Sequence, residues 1–293
     1  MVRFFVCPEE MAADRIVLTG ENAQHAKVLR LKAGEQVLLC DGEGNECLCS
    51  VEEMDGKQLT VAVLSRQESE AEASVRVSVY MAFPKADKLE HVIQKATELG
   101  AYEIVAFPSA RCISKPDEKS LGKKLERWQK IAASAAEQSG RGRIPQVLVL
   151  PSYKAALERA ATADQALMFY ENERATTLKM ALQRKLYTTV SLLTGPEGGL
   201  DEAEVKQAME AGLSVCTLGR RILRCETAPL CALSAVMYAV GECERASRIA
   251  VGIIEISALE CKGVFNGIVE KLLFLNRVVI ELNVIYKTRE VIG

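Results

Sequence analysis

The stretch LGRRILRCETA, at positions 218–228, joins an apolar strand pattern to an apolar helix pattern, and this connection sets the type of fold. The strand pattern covers residues 214–218, and Thr227 is placed to cap the helix that follows. Three arginines and a glutamate at the carboxyl end of a strand need partners if they are buried. From these residue types alone, a salt-bridged surface loop and a binding site are equally good interpretations.

A second unusual loop, TGPEGGLD at positions 194–201, follows the apolar strand pattern of residues 189–193. Its three glycines and one proline give a rigid turn whose backbone can approach a ligand closely. The loop matches neither GxxxxGK[ST] nor GxGxxG, so the phosphate-binding mechanisms of those motifs are not supported. A plain strand-to-helix turn, with Asp201 and Glu204 as a capping box, explains the residues equally well.

Strand and helix patterns alternate around these loops from Val75 onward. Such alternation indicates an open, mostly parallel α/β sheet, in which ligands bind beyond the carboxyl ends of the strands. Helices are expected to begin at Asp87, near Leu121 and at Asp201, the first and last with capping boxes. The expected strands cover residues 75–83, 104–108, 166–170, 189–193 and 214–218.

The N-terminal part of the chain follows a different pattern. Residues 1–66 contain short β-type runs, and Asp-Gly pairs at 41–42 and 55–56 are typical of tight hairpin turns, so a small antiparallel barrel or sandwich is expected. The polar stretch 67–74 has no period and is a plausible linker. We therefore predict a β domain over residues 1–70 and an α/β domain that begins at residue 75.

The composition excludes several classes of protein. The chain has 293 residues, 37 Lys or Arg against 39 Asp or Glu, and 49% hydrophobic residues, which suits a folded protein rather than a disordered one. No apolar run reaches the ~18–20 residues of a membrane helix, and the N-terminal apolar run is too short for a signal peptide. The ten cysteines include no Cys-x-x-Cys pair, so neither a metal site nor disulfides are expected. We expect a cytoplasmic protein without membrane segments.

The net charge of −2 conceals an uneven distribution. Residues 1–74 have a net charge of −7, whereas residues 111–143 contain nine Lys or Arg against four acidic residues. Basic clusters are typical of nucleic-acid-binding surfaces, but they also occur on ordinary solvated helices. The charge pattern alone leaves both interpretations open.

The two loops together make the sequence recognisable. The pairing of LTGPEGG at 193–199 with LGRRILRCETA at 218–228 closely resembles the RsmE family, which comprises S-adenosylmethionine-dependent methyltransferases of the SPOUT class. Members of that family modify N3 of a uridine in 16S ribosomal RNA of the small subunit. The resemblance runs in order over about residues 1–244. Other matching segments are RFF at 3–5, His25 with VLR at 28–30, IQKATELG at 93–100 and AEQSGR at 136–141.

The resemblance implies a fold and an assembly. The expected fold is α/β, with a trefoil-knotted SPOUT methyltransferase domain preceded by a small PUA-like β-barrel that binds RNA. The expected assembly is a homodimer, because SPOUT domains bind cofactor and substrate near the subunit interface. The resemblance ends near residue 244, which implies a methyltransferase domain over residues 75–244 and a separate tail over 245–293. This apolar tail, which alternates like a strand near residues 280–286, has no assigned role.

The resemblance also implies that S-adenosyl-L-methionine binds in loops that follow three strands. An adenine pocket needs a flat apolar slot with a few hydrogen-bonding groups, which backbone-rich loops can provide. The candidate cofactor-binding residues are Tyr170, Thr194, Gly195, Pro196, Glu197, Gly198, Gly199, Leu218, Gly219, Ile222, Leu223, Arg224, Thr227 and Ala228.

Chemistry and motif position select two candidate catalytic residues. Methylation of uracil N3 requires loss of its proton, and the negative charge then spreads to O2 and O4, where a cation would stabilise it. Arg224 is the expected cation, and Glu226 is expected to orient it or to assist proton removal. An Arg224–Glu226 ion pair that only closes the loop is the structural alternative.

Further basic residues are expected to bind RNA through its phosphates. For His25 a packing role is as good an interpretation as an RNA contact. Two other functions remain open: a non-catalytic RNA-binding factor with the same fold, and a SPOUT enzyme that acts on transfer RNA. The candidate RNA-binding residues are Arg3, His25, Arg30, Arg111, Lys115, Arg141 and Arg143.

Overall fold

The computed structural model describes residues 1–55, 57–114, 116–183 and 187–243. Residues Met1–Cys243 form one unit, which contains a five-stranded and a six-stranded β-sheet. The predicted tail 245–293, its strand pattern included, lies outside the described residues, as does the second half of the turn at 55–56.

The N-terminal sheet is mixed rather than purely antiparallel. Its strand order is β1-β3-β4-β5-β2, and β1 pairs with β3 in parallel, whereas the other neighbours are antiparallel. Alternate residues such as Val37 and Leu39 are fully buried in the core of this sheet, as period-two alternation requires. The elements are β1 (Val2–Phe5), β2 (Arg15–Leu18), α1 (Gly20–Val28), β3 (Gln36–Cys40), β4 (Asn45–Met54) and β5 (Leu59–Glu68).

The second sheet is parallel throughout, as the alternation of strands and helices predicts. Its order is β11-β9-β10-β6-β7-β8, so the chain crosses from one side of the sheet to the other between β8 and β9. Five of the strands match the predicted ones, and β8 is additional. The strands are β6 (Arg76–Ala82), β7 (Glu103–Phe107), β8 (Gln146–Val149), β9 (Gln165–Phe169), β10 (Thr189–Thr194) and β11 (Ser214–Cys216).

Helices cover both faces of this sheet. Val77 and Val79 of β6 pack with α2, α3 and α7 on one face, whereas Tyr80 and Ala82 pack with α4 and α6 on the other. This two-sided burial explains the nearly continuous apolar strands. The helices are α2 (Lys88–Glu98), α3 (Glu118–Ser139), α4 (Tyr153–Ala160), α5 (Leu178–Leu182), α6 (Glu202–Glu210) and α7 (Thr227–Ala239).

Of the three predicted helix N-caps, the structure confirms one and contradicts two. Asp201 and Glu204 form the complete capping box of α6. The prediction was wrong for Asp87, which makes no side-chain cap because its backbone (φ −90°, ψ 12°) lacks the extended form that capping needs. It was also wrong for Thr227, which is the first residue of α7 and follows Glu226.

The polar stretch 67–74, predicted as a linker, is held in place by the rest of the protein. Glu72 accepts hydrogen bonds from the guanidinium of Arg141 and from the backbone of Gly142 and Arg143. Ser69 is buried, and its backbone N–H donates to the carbonyl of Gly44. These contacts join the two sheets.

The trefoil knot stays a prediction.

Candidate functional site

The loops that follow four strands of the parallel sheet meet around one cavity of about 450 Å³. Strands β6, β9, β10 and β11 are neighbours and parallel, so their carboxyl ends share one edge of the sheet. A cavity of this size is within the usual range for small-molecule sites. Its lining includes Lys88 after β6, Tyr170 and Glu171 after β9, residues 194–200 after β10 and residues 217–225 after β11.

The glycine-rich loop 194–201 forms one wall, and its glycines are required by the local geometry. Thr194 is buried, and its hydroxyl donates to the carbonyl of Tyr80 at 3.2 Å, which ties the end of β10 to β6. Gly199 has a φ of +69°, and a Cβ there would lie 2.6 Å from Oε1 of Glu171. No other residue type fits this position without movement of the Glu171 side chain.

The arginine-rich loop, residues 217–225, forms the opposite wall. Gly219 has a φ of +108°, a conformation that favours glycine, and a Cβ there would meet nothing within 4 Å. Leu218 and Leu223 are half-buried, whereas Ile222 is 87% exposed. Cys225 is buried in the core beside the cavity and holds the end of the loop in place. The wall therefore combines accessible backbone with apolar side chains.

One lysine joins these two walls. Nζ of Lys88 lies 3.1 Å from Oε1 of Glu197 in the glycine-rich loop and 3.2 Å from Oε2 of Glu226 at the start of α7. The backbone N–H of Lys85 donates to the same Oε1 of Glu197 at 3.0 Å, and the thiol of Cys225 donates to Oε2 of Glu226 at 3.2 Å. Two carboxylates from separate loops thus share one ammonium group.

The pKa shifts in this cluster follow from these hydrogen bonds. The bond to Glu197 is the main cause that raises the pKa of Lys88, and the bond to Glu226 adds to it. Desolvation acts to raise the pKa of both carboxyls, but the hydrogen bonds to them outweigh it, so both pKa values are lowered. Burial, assisted by the bond to Glu226, raises the pKa of Cys225 to about 12. At neutral pH the cluster holds one ammonium, two carboxylates and a neutral thiol.

Arg224 is exposed at the mouth of the cavity. Among the described residues its guanidinium makes no hydrogen bond or ion pair, and Glu226 pairs with Lys88 instead. The structure therefore contradicts the structural alternative of an Arg224–Glu226 ion pair. The guanidinium of Arg224 is therefore a charged group at the cavity that makes no polar contact among the described residues.

The residues around the cavity fit an adenosyl cofactor. Apolar side chains of Leu218 and Leu223 can cover the faces of a flat heterocycle, and the open backbone at Gly219 leaves room for a ligand to approach. Acidic and basic side chains lie at the rim, where a polar amino-acid end could be bound. The residues that line the cavity thus match a ligand with one flat apolar end and one charged end.

The structure brings together thirteen of the fourteen predicted cofactor-binding residues as cavity-lining residues. Thr227 is the exception. It is exposed at the start of α7, and its backbone N–H donates to the carbonyl of Arg224 at 2.9 Å. Glu226 also lies outside the lining but contacts Lys88.

Sequence reasoning missed Lys88, because the loop after β6 carries no conspicuous motif. The available signal was indirect: Lys88 follows the first strand of the parallel sheet, and loops after neighbouring parallel strands meet at one edge. Neither segment alone predicts that β6 pairs with β10. Arg174 and Glu171, which follow β9, also line the cavity and were not predicted.

Of the predicted RNA-binding residues, some already serve the fold. Arg141 is 3% exposed, pairs with Glu72 at 2.6 Å and donates to the carbonyls of Thr97 and Ala101. The structure corrects its predicted role, because this guanidinium has no free surface for a phosphate. Arg3 pairs with the buried Glu46 at 2.7 Å and its side chain is 14% exposed.

The other candidates differ in how accessible they are. His25 lies 3.1 Å from Glu137 of α3 and packs edge-on against Phe4, which supports its packing role. Arg30 is exposed, and Arg111 is exposed while it donates to the carbonyl of Gly198 at 2.9 Å.

Arg143 is half-buried, stacks on Tyr102 and donates to the carbonyl of Glu43. Lys115 lies outside the described residues.

Within residues 1–55, 57–114, 116–183 and 187–243, no cluster of three or more His, Cys, Asp or Glu side chains could hold a metal ion. In the same part of the chain, no helix is both long enough and apolar enough to span a bilayer.

Comparison with known proteins agrees with the geometry. The family described as RNA methyltransferase domain matches residues 71–237, and the family described as RNA methyltransferase PUA domain matches residues 18–64. The PUA match confirms the predicted PUA-like N-terminal fold. Ribosomal RNA small subunit methyltransferase E of Bacillus subtilis is 40% identical over 227 residues, which are 75% of this chain and 89% of that protein. The Mycobacterium tuberculosis protein of the same name is 35% identical over 223 residues, 75% of this chain and 85% of that protein.

Solved structures give the same result. The crystal structure of ribosomal RNA small subunit methyltransferase E from Neisseria gonorrhoeae, bound to S-adenosylmethionine, matches with a TM-score of 0.73 and 32% identity, over 82% of this chain and 98% of that one. A Legionella pneumophila methyltransferase in complex with the same cofactor matches with a TM-score of 0.70 and 31% identity, over 81% of this chain and 97% of that one. The matched residues include both loops of the cavity. The chain therefore belongs to the ribosomal RNA small subunit methyltransferase E family.

Proposed function

We propose that this protein transfers a methyl group from S-adenosylmethionine to N3 of a uridine in 16S ribosomal RNA of the small subunit. The observation that carries the proposal is the cavity at the carboxyl edge of the parallel sheet, where the two loops shared with the family form opposite walls. A non-catalytic RNA-binding role has less support, because the cavity of about 450 Å³ is within the usual range for small-molecule sites.

The cofactor binds between the two loops. Leu218, Leu223 and the backbone around Gly219 hold the adenosine, and the turn of residues 195–199 closes the other side. When bound, S-adenosylmethionine supplies an electrophilic methyl group on a sulfonium centre. The rigid glycine turn contributes by fixing position, because an in-line displacement depends on the alignment of the reacting atoms.

Arg224 and Glu226 act on the uracil. The N3–H bond breaks and its proton passes to the Glu226 carboxylate, while a new N3–C bond forms and the C–S bond breaks with its electron pair left on sulfur. Arg224 donates to the uracil carbonyl oxygens O2 or O4, on which negative charge develops, and this lowers the energy of the transition state. Support for these roles comes from the ionised state of Glu226 and the unused guanidinium of Arg224.

RNA binds to the remaining exposed basic residues. Arg30 and Arg111 contact phosphates, which gives salt-dependent affinity, and Arg220 and Arg221 beside the cavity add to the positive surface. The enzyme works in the cytoplasm, where ribosomal subunits are made.

We also propose a homodimer, with the tail 245–293 unassigned. Exposed apolar side chains such as Tyr238 of α7, which is 74% exposed, support a second copy as their cover. Sedimentation of the purified protein tests this arrangement, and a monomer at micromolar concentration would contradict it.

A methylation assay tests the function. Small subunits from cells that lack this modification are incubated with the protein and labelled cofactor, and mass spectrometry locates the methyl group. We expect one methylated uridine with the methyl on N3. Methyl groups on ribose 2′-oxygens, or cofactor binding without any transfer, would contradict the proposal.

A further inference from the structure

Lys88 occupies a position that its own helix does not favour. It is the first residue of α2, where the partial positive charge of the helix N-terminus opposes an ammonium group. Its side chain is only 29% exposed, because it turns towards the cavity and away from solvent. Two carboxylates compensate for this placement, since Glu197 and Glu226 lie 3.1 and 3.2 Å from Nζ. The ion pairs, and not helix formation, explain a lysine here.

No second cation replaces Lys88 in this cluster. Among the described residues, neither Glu197 nor Glu226 forms an ion pair with any other Lys, Arg or His. The two carboxylates come from separate segments: Glu197 from the glycine-rich loop that lines the cavity, and Glu226 from the start of α7, just outside the lining. Lys88 is therefore the one cation, among the described residues, that connects Glu197 to Glu226.

The contacts to Glu226 are directional. The ammonium of Lys88 and the thiol of Cys225 both donate to Oε2, and Lys88 also lies 3.6 Å from the sulfur of Cys225. Neither donor uses Oε1. The carboxylate is thus fixed through one oxygen, and its second oxygen is left by these two donors for a hydrogen bond from a substrate N–H.

We propose that Lys88 is a positioning residue for the methyl transfer, which fixes the Glu226 carboxylate beside the cavity and couples it to the glycine-rich loop through Glu197. This inference rests on the proposed function and assigns a role that neither loop motif contains. Lys88 does not contact the uracil in this scheme. It acts through Glu226, whose second oxygen accepts the N3 proton only if the first is held.

The charge state of Glu226 follows from the groups that face it. These are Lys88 from α2 and Cys225 from the preceding residue, with Glu197 behind Lys88. Desolvation acts to raise the pKa of Glu226, whereas hydrogen bonds from its own backbone N–H, from the Cys225 thiol and from the Lys88 ammonium lower it. Removal of the ammonium therefore raises the pKa of Glu226, so that the group becomes protonated at a higher pH than in the wild-type protein.

Carbon-13 NMR of the glutamate carboxyl groups tests this link without any need for turnover. The Glu226 signal is assigned by its absence in Glu226→Gln, and its titration is followed in the wild-type protein and in variants. We expect a wild-type midpoint below that of an ordinary glutamate, a higher midpoint in Lys88→Met, and a return towards the wild-type value in Lys88→Arg. Lys85→Met is the matched control, because it removes a nearby charge but keeps the backbone N–H that binds Glu197.

Kinetics on small subunits supply the second readout. In Lys88→Met we expect kcat/KM to fall on the order of 10²-fold, because a displaced catalytic group is costly. The acidic limb of its pH profile should move to higher pH, while calorimetry shows nearly unchanged affinity for S-adenosylhomocysteine. Lys88→Arg should recover much of the lost activity.

Defined results would overturn the inference. A wild-type Glu226 midpoint that is not below that of an ordinary glutamate would remove the role of Lys88, and this measurement does not require any variant to fold. Equal midpoints in the wild-type protein and in Lys88→Met would remove it as well. Loss of S-adenosylhomocysteine binding with an unmoved midpoint would make Lys88 a cofactor ligand instead. A wild-type protein that folds but transfers no methyl group would overturn the proposed function itself, which the NMR titration does not depend on.

Discussion

At the scale of single residues, the cavity separates groups that serve the fold from groups left for chemistry. Arg141 and Arg3 are also arginines at predicted functional positions, yet both are satisfied internally by Glu72 and Glu46. Arg224 has no such partner among the described residues and faces the cavity. A cation that the fold does not use, beside an ionised carboxylate, is a strong candidate for binding an anionic transition state.

Replacement of Arg224 should affect the reaction and leave the fold intact. In Arg224→Ala we expect kcat to fall about 10²–10³-fold, because one donor to developing negative charge is lost. The free energy of unfolding should change by no more than ~0.5 kcal/mol, as for other exposed positions. Steady-state methylation at saturating cofactor and urea unfolding measure the two quantities, with Lys206→Ala on the exposed side of α6 as control. A near-normal kcat would remove Arg224 from the chemistry.

Two glycines make opposite predictions for the same substitution. Gly199→Ala should weaken S-adenosylhomocysteine binding and lower stability, because φ is +69° and the new Cβ would lie 2.6 Å from Glu171. Gly122→Ala should raise stability by about 0.5–1 kcal/mol, because it lies inside α3 with nothing within 4 Å of the new Cβ. Calorimetry and thermal unfolding of both variants check this. Equal effects at the two positions would contradict the rigid-turn interpretation of residues 195–199.

At the scale of elements, the sequence predicted what depends on local pattern. The buried parallel strands have nearly continuous apolar runs, and the capping box at Asp201 is visible in four residues. Strand β8 was missed because it has only four residues, Gln146–Val149, between Pro145 and Pro151. The parallel pairing of β1 with β3 was also missed, since pairing between distant segments leaves no local signature.

The same distinction explains the site. Both loops could be recognised because their glycines and arginines stand close together in sequence. Lys88 could not be recognised from the sequence, since its partners Glu197 and Glu226 become its neighbours only when β6 pairs with β10. Thr227 lies outside the cavity lining, because proximity to a motif does not place a side chain in the cavity: it begins α7 instead.

Asp164 joins the starts of two neighbouring strands and should make stability depend on pH. Its carboxylate accepts hydrogen bonds from the backbone and hydroxyl groups of Thr188 and Thr189 at 2.9–3.0 Å. The backbone bond from Thr188 is the largest cause that lowers the pKa of Asp164 to about 2, against an ordinary value of 3.8. Because the folded-state pKa is the lower one, this stabilisation is complete above the ordinary value and is lost as the pH falls towards 2.

Asp164→Asn isolates this contribution. The variant should unfold at a lower temperature than the wild-type protein near neutral pH, and the difference should shrink as the pH falls below about 4. Circular dichroism melts over a pH series measure it. A difference that stays constant down to the lowest pH at which both proteins fold would contradict the assignment.

At the scale of the whole molecule, the N-terminal and parallel sheets are joined by ionic contacts. Arg141, whose side chain is 4% exposed, connects Glu72 between the sheets to the carbonyls of Thr97 and Ala101 at the end of α2. His25 of α1 adds a contact to Glu137 of α3. The proposed RNA-binding residues of the described chain and the cavity are therefore parts of one unit, Met1–Cys243.

Loss of the Arg141 contact should destabilise the whole unit. In Arg141→Met we expect the free energy of unfolding to fall by about 3–5 kcal/mol, because the carboxylate of Glu72 is left without its charged partner. Chemical denaturation measures this loss. Lys154→Met is the control, because Lys154 forms an exposed ion pair with Glu158, and its expected loss of unfolding free energy is below ~1 kcal/mol. Unchanged stability together with weakened RNA binding would restore Arg141 to the RNA-binding residues.

Residues 194–200 and 217–225 line the cavity in which we propose that the cofactor binds. Calorimetric titration of the folded protein with S-adenosylhomocysteine measures this binding. We expect saturable binding that Gly199→Ala weakens and Lys206→Ala leaves unchanged. Absence of any heat of binding to a protein whose circular dichroism shows it to be folded would contradict it.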